Sequence, residues 1–251
     1  MRKFYQTEWQ DIRFGGFYPL SSVTLAGQEF YDAFYCQVFD RYSNYDSLPP
    51  SWRGSKDLII DWLAASIPYK AKVLSVGCGL GYIEQRLWRL HSDCMDLYVQ
   101  DFSACALKWI KQILPADHIN ANVCCASLER SKIERFNLVY LSAVDYAMID
   151  DELISFLTDL KTNIVDGGSL LMISASFSEE SIGQKIMNGI KDLVKWLLEI
   201  SGIRHRGQFW GWMRSRAEYR SVMQLAGFTM VSDGFIEMPE GRPTYFIKGI
   251  K

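Results

Sequence analysis

Short apolar runs alternate with stretches of helical spacing through the middle of the chain. Residues 73–76 form a compact apolar run that predicts a buried strand, and it ends in Gly77, Gly79 and Gly81. Ile83, Leu87 and Leu90 then recur on one helix face. Residues 95–100 read as a second strand ending at Asp101. Ser103 caps a helix bearing Leu107, Ile110 and Leu114, which Pro115 closes. A third strand is expected over 119–125 and a fourth over 136–142. Asp150 caps the next helix, with Leu153, Phe156, Leu157 and Leu160 on its buried face. Asp166-Gly167-Gly168 then turns the chain into a fifth strand at 169–174.

The flanks are less regular. Residues 1–24 hold Phe4, Tyr5, Trp9, Phe14, Phe17 and Tyr18 among polar positions, without an assignable period. Over 25–42, Tyr31, Tyr35, Val38, Phe39 and Tyr42 share a helix face. Such a stripe is either core or the wall of a substrate pocket. Residues 44–50 read as a loop ended by Pro49-Pro50, and 55–66 as a helix. A long helix is expected from Ser178 to about Gly202. The segment 204–214 follows, holding His205, Phe209, Trp210 and Trp212 along with Gly207 and Gly211. Ser215 and Glu218 form a capping box that opens a helix to Gly227, and strands at 228–236 and 244–250 finish the chain in hairpin-like order.

Composition narrows the class. A chain of 251 residues with 49% hydrophobic and 22% charged positions has material for one large soluble domain. A net charge of −2 argues against sequence-independent nucleic-acid binding, which needs a basic surface. No signal-peptide pattern and no apolar run of spanning length is present, so a cytoplasmic protein with no membrane partner is expected. The six cysteines contain no C-x-x-C pair and the three histidines have no ligand spacing, which predicts reduced thiols and no metal site. Oligomeric state is not readable.

Strand, glycine turn and helix in succession suit a nucleotide-type cofactor, because glycines allow a sharp turn and a close backbone approach. Free N–H groups at the helix start are expected to face it. A dinucleotide fingerprint would need glycine where Tyr82 stands, and a P-loop would need a following Gly-Lys-Ser/Thr. The remaining pattern, Gly77-x-Gly79-x-Gly81 after an apolar strand, resembles the first motif of class I S-adenosylmethionine-dependent methyltransferases. Residues 136–174 resemble the second half of the same family: strand, polar loop, helix, Gly-Gly turn, strand. The resemblance covers about residues 70–175. It implies a doubly wound, seven-stranded, mostly parallel Rossmann-like sheet with a helical cap. The implied arrangement is one domain: an N-terminal helical cap at 1–68, a cofactor core at 69–175, a cap insert at 176–226 and final strands at 227–251. One departure stands out, since many members carry an acidic residue where this chain has Ser75.

The resemblance implies S-adenosylmethionine as cofactor, held by Gly77, Cys78, Gly79, Gly81, Asp101, Phe102, Ser127 and Ser142. Asp101, at the end of the second strand, is the expected ribose ligand. Asp145 and His205 are the candidate bases. Tyr31, Tyr35, Tyr146, Trp210 and Trp212 are candidate acceptor contacts, with 202–214 as a loop closing over the acceptor. Ser142-Ala143-Val144-Asp145 lacks the Asn/Asp-Pro-Pro-aromatic signature of nucleobase amino methylases and the Pro-Cys of cytosine-carbon methylases. A hydroxyl of a small molecule or metabolite-linked sugar is therefore the expected acceptor. An amine acceptor on the same fold and a non-catalytic cofactor-binding partner protein stay open.

Overall fold

The computed structural model describes residues 2–120, 135–179, 207–238 and 243–251, and single helical positions at 187, 189, 191 and 194. In chain order the strands are β1 (Arg2–Gln6), β2 (Glu8–Trp9), β3 (Ile12–Arg13), β4 (Ala71–Val76), β5 (Met95–Gln100), β6 (Ile119–Asn120), β7 (Phe136–Ser142), β8 (Ile164–Ser174), β9 (Gln208–Met213), β10 (Thr229–Ile236) and β11 (Thr244–Ile250). The helices are α1 (Gln28–Arg41), α2 (Pro50–Ser66), α3 (Tyr82–His91), α4 (Asp150–Thr162) and α5 (Arg216–Leu225).

The central sheet runs in the order β10-β11-β8-β7-β4-β5-β6. Adjacent pairs from β8 to β6 are parallel, and β11 is antiparallel to both neighbours, so one strand is reversed in a mostly parallel sheet. Both faces are covered, which is why these strands read as near-continuous apolar runs. Alternation sorts the side chains. Val73, Leu138, Tyr140, Leu171 and Ile173 enter one core with α1, α2 and α3. Leu74, Val76, Val139, Leu141, Leu170 and Met172 enter the other with α4 and α5. Ser75, one step from Leu74 and Val76, therefore faces the α3 side along with Tyr140.

Several expectations are corrected. Residues 2–13 are strands rather than part of a helical cap. Gln10 and Asp11 both have positive φ, which closes β2 and β3 through a two-residue hairpin turn. Helix α2 begins at Pro50, five residues before the expected start, because proline suits the first helical turn. The expected helix at 103–114 is instead a succession of 3-10 turns at Ala106–Lys108 and Ile110–Gln112. Ile149, not Asp150, is the residue that precedes α4, and its N–H donates to the Glu152 carboxylate. Strand β8 starts at Ile164, and Gly167, with φ of 77°, sits inside it, where pairing with β7 shifts register.

The aromatic segment expected to be a loop is strand β9, paired antiparallel with β1 about 200 positions earlier in sequence. Helix α5 packs in the second core rather than over the carboxyl edge, with Tyr219, Val222 and Met223 buried. The expected third strand beyond Asn120, most of the long helix after Ser178, Ser127 and His205 lie outside the described residues. Among the described residues no helix is long and apolar enough to cross a membrane.

Candidate active site at the carboxyl edge of the sheet

The glycine turn leaves β4 with Gly77, Gly79 and Gly81 all at positive φ, a conformation other residues adopt at a cost. Its neighbours crowd it. A Cβ on Gly77 would lie 2.4 Å from Val144 Cγ2, and one on Gly79 would lie 2.9 Å from the Tyr35 hydroxyl. The N–H groups of Gly77 and Cys78 both donate to the Gln100 carbonyl, at 2.8 and 3.1 Å, and that of Gly81 donates to Cys78 O at 3.0 Å. Gly79 N–H donates to Asp101 Oδ2 at 2.7 Å. The N–H groups at these four positions of the turn are thus already used. A turn whose donors face inward is a poor cradle for phosphate and suits a cofactor that carries none.

Asp101 follows β5 and is 2% exposed. Its second oxygen accepts from Ser103 N–H at 2.8 Å, so the carboxylate ties the glycine turn to the chain after β5. Burial raises its pKa, opposed by these two backbone donors. Tyr31 and Tyr35 of α1 cover this region, and Phe102 stands edge-on to Tyr31 with centroids 5.4 Å apart. Helix α1 is anchored there by Asp32, which accepts from Ser103 Oγ at 2.5 Å.

A cavity of about 330 Å³ opens beside the turn, lined by Gly77, Cys78, Gly79, Ser142, Glu84 and Lys56, and walled by aromatic rings. Tyr31, Tyr35, Tyr146 and Trp210 are all in that wall, together with Trp9, Phe34, Trp52 and Tyr82. Tyr31 and Tyr146 hydroxyls are hydrogen-bonded at 3.2 Å. Burial raises the pKa of both, and Tyr146 is pushed up to about 12. At neutral pH these hydroxyls are donors and acceptors rather than bases.

Strand β9 delivers Trp210 through an irregularity. Phe4 pairs with Gly211 and Tyr5 with Phe209, so Trp210 is the extra residue of a bulge. Its ring stacks on Phe14 at 5.1 Å and on Tyr146 at 6.1 Å. Trp212 is carried away from the cavity, and its ring meets Phe209 edge-on at 5.0 Å. Gly211 is no hinge, because a Cβ there would lie 2.2 Å from the Tyr146 carbonyl oxygen. Close backbone approach explains that glycine.

Asp145 does not line the cavity, which corrects the expectation of a base. Its Oδ2 accepts from Ser174 at 2.9 Å, from Ser176 at 3.3 Å and from the Tyr219 hydroxyl. Arg214, 0% exposed, donates to the Asp145 carbonyl at 2.7 Å and to Asp150 Oδ1 at 2.8 Å. This network fixes the turn after β7, and so sets Tyr146 against the cavity.

The least expected residue is Glu84. It sits in the first turn of α3, is 1% exposed, and accepts from Ser75 Oγ at 2.6 Å and from Tyr140 hydroxyl at 2.7 Å. Both donors meet Oε1, and among the described residues buried Oε2 has no partner. Burial raises the carboxyl's pKa, while Ser75, Tyr140 and nearby Lys56 pull it down. A first-turn Glu reads in sequence as a helix-dipole residue. The only other clue was the missing acid at Ser75.

No protein-family model and no curated protein matches the chain. Solved structures do. It superposes on magnesium protoporphyrin IX methyltransferase from Synechocystis, solved with S-adenosylhomocysteine, at TM-score 0.55 and 16% identity over 88% of this chain and 97% of that one. A S-adenosylmethionine-dependent methyltransferase from Archaeoglobus fulgidus gives TM-score 0.54 and 14% identity, covering 79% and 96%. Human N-acetylserotonin methyltransferase, solved with S-adenosylmethionine, gives 0.55 and 17%, with 90% of this chain spanning 56% of that enzyme. The chain has the fold of the class I S-adenosylmethionine-dependent methyltransferases.

Proposed function

We propose that this protein transfers the methyl group of S-adenosylmethionine to a small acceptor seated in the aromatic cavity. The observation that carries this reading is the shared cavity: the glycine turn and the aromatic wall bound one space. Three features of the chain fit the cofactor. The turn spends its N–H groups internally, as suits a ligand without phosphate. Asp101 stands at the end of β5, where a carboxylate can accept from ribose hydroxyls. Glu84 Oε2 is a buried acceptor without a donor.

When bound, the sulfonium supplies an already activated methyl group. The protein's own part is to place the acceptor in line and to exclude water. Trp210, Tyr146, Tyr31 and Tyr35 form apolar faces that seat a flat acceptor and attract positive charge. The Tyr31–Tyr146 hydroxyl pair is positioned to orient a polar group on that acceptor. The Tyr35 hydroxyl lies over Gly79, beside the turn that Asp101 ties down.

A hydroxyl acceptor is the first reading, and a phenol suits the site best because it gives up its proton readily. An amine is the second reading. Incubation with methyl-labelled S-adenosylmethionine and matched phenols, sugars and amines tests this. Label should pass to a ring-bearing acceptor. Transfer to none of them, with cofactor bound, would leave the non-catalytic binding role instead.

A further inference from the structure

The geometry points to Glu84 and Lys56 as a paired clamp for the amino-acid end of the cofactor, Glu84 taking its ammonium and Lys56 its carboxylate. This rests on the cofactor reading above. The opening strand has a hydroxyl, Ser75, where many members of the family carry an acid, and that hydroxyl donates to Glu84 of α3, which lines the cavity. Its Oε1 is fixed by two hydroxyl donors, so the carboxylate's orientation is set before any ligand arrives. Its Oε2 is buried, unpartnered and part of a residue that lines the cavity. Burying an ionised carboxylate with one oxygen lacking a donor costs stability, and a ligand ammonium offsets that cost.

Lys56, on α2, lines the same cavity. Among the described residues its ammonium forms no ion pair, and it lies 5.7 Å from the centroid of the Trp52 ring. An acidic and a basic side chain lining one small cavity match a zwitterion. They match an uncharged thioether nucleoside not at all.

Two ligands separate the claims. S-adenosylhomocysteine carries the amino-acid end, and 5′-methylthioadenosine keeps the nucleoside and thioether but lacks it. Glu84→Gln should weaken S-adenosylhomocysteine binding roughly ten- to a hundred-fold, as expected for a lost charged hydrogen bond, and leave methylthioadenosine binding unchanged. Lys56→Met should do the same. Ser75→Asp placed in the Glu84→Gln background should recover affinity, because it returns a carboxylate to the same spot from the strand. Equal loss for both ligands in Glu84→Gln would make Glu84 a structural residue and overturn the clamp, as would no loss for either. Failure of the unaltered protein to bind either ligand would instead refute the cofactor reading itself.

Discussion

Ser75 donates a hydrogen bond to Glu84 at 2.6 Å, across the junction of the first central strand and the helix that follows it. On the clamp proposed above, Glu84 brings from the helix the carboxylate that the strand lacks at Ser75. This arrangement predicts a stability signature. Burial holds the Glu84 pKa above its ordinary 4.5. A group whose folded pKa exceeds its unfolded one contributes stability fully below the unfolded value, and that contribution is lost as pH rises through the folded pKa. Ligand-free Glu84→Gln should therefore gain in melting temperature over the unaltered protein as pH climbs from about 4.5 toward 8. A gap that narrows with rising pH would show that the carboxylate is well paired in the fold.

Asp101 should matter before any ligand is added. Its carboxylate accepts backbone N–H groups from Gly79 and Ser103, and bonds to charged acceptors are worth about 1.5–3 kcal/mol each. Asp101→Ala should lower the ligand-free unfolding free energy by at least the smaller of those figures, read from a denaturant titration. Unchanged stability would mean the glycine turn holds its shape alone.

The two tryptophans of β9 should behave differently. Trp210 is enclosed by Phe14, Phe30 and Tyr146, so truncation to Ala should cost about 3–5 kcal/mol and raise the KM for the acceptor. Trp212→Ala loses chiefly its edge contact with Phe209, about 0.5–1.5 kcal/mol, and should leave that KM alone. Similar effects at both positions would argue that β9 acts as a mobile flap.

Gly79 and Tyr35 should be coupled. Gly79→Ala carries a left-handed backbone penalty of about 1–2 kcal/mol, with a contact to the Tyr35 hydroxyl in addition. In a Tyr35→Phe background the same substitution should cost less, and a double-mutant cycle measures the difference. Strict additivity would place Tyr35 away from the turn.

Much of this fold was legible because local pattern and tertiary role coincide. Val73, Leu74 and Val76 put apolar groups on both sides since helices cover both faces of the sheet, and the glycines that follow are required by backbone angle. Pairing of β1 with β9 was not legible. Its partners are about 200 positions apart, and a bulge at Trp210 breaks the alternation that would have marked a strand. Within the site, Tyr31, Tyr35, Tyr146 and Trp210 were readable as aromatic candidates. Asp145 was misassigned because a carboxylate after a strand looks alike in sequence whether it faces a cavity or three hydroxyls. Glu84 and Arg214 were missed for the reverse reason: burial of a charge depends on partners supplied by other elements.

Calorimetric titration of the unaltered protein with S-adenosylhomocysteine, and separately with reduced nicotinamide dinucleotide, tests the cofactor assignment most directly. The glycine turn with its inward N–H groups, Asp101 and Glu84 predict saturable one-to-one binding of S-adenosylhomocysteine and no binding of the dinucleotide. Saturable binding of the dinucleotide, or no heat from S-adenosylhomocysteine at millimolar concentration, would contradict it.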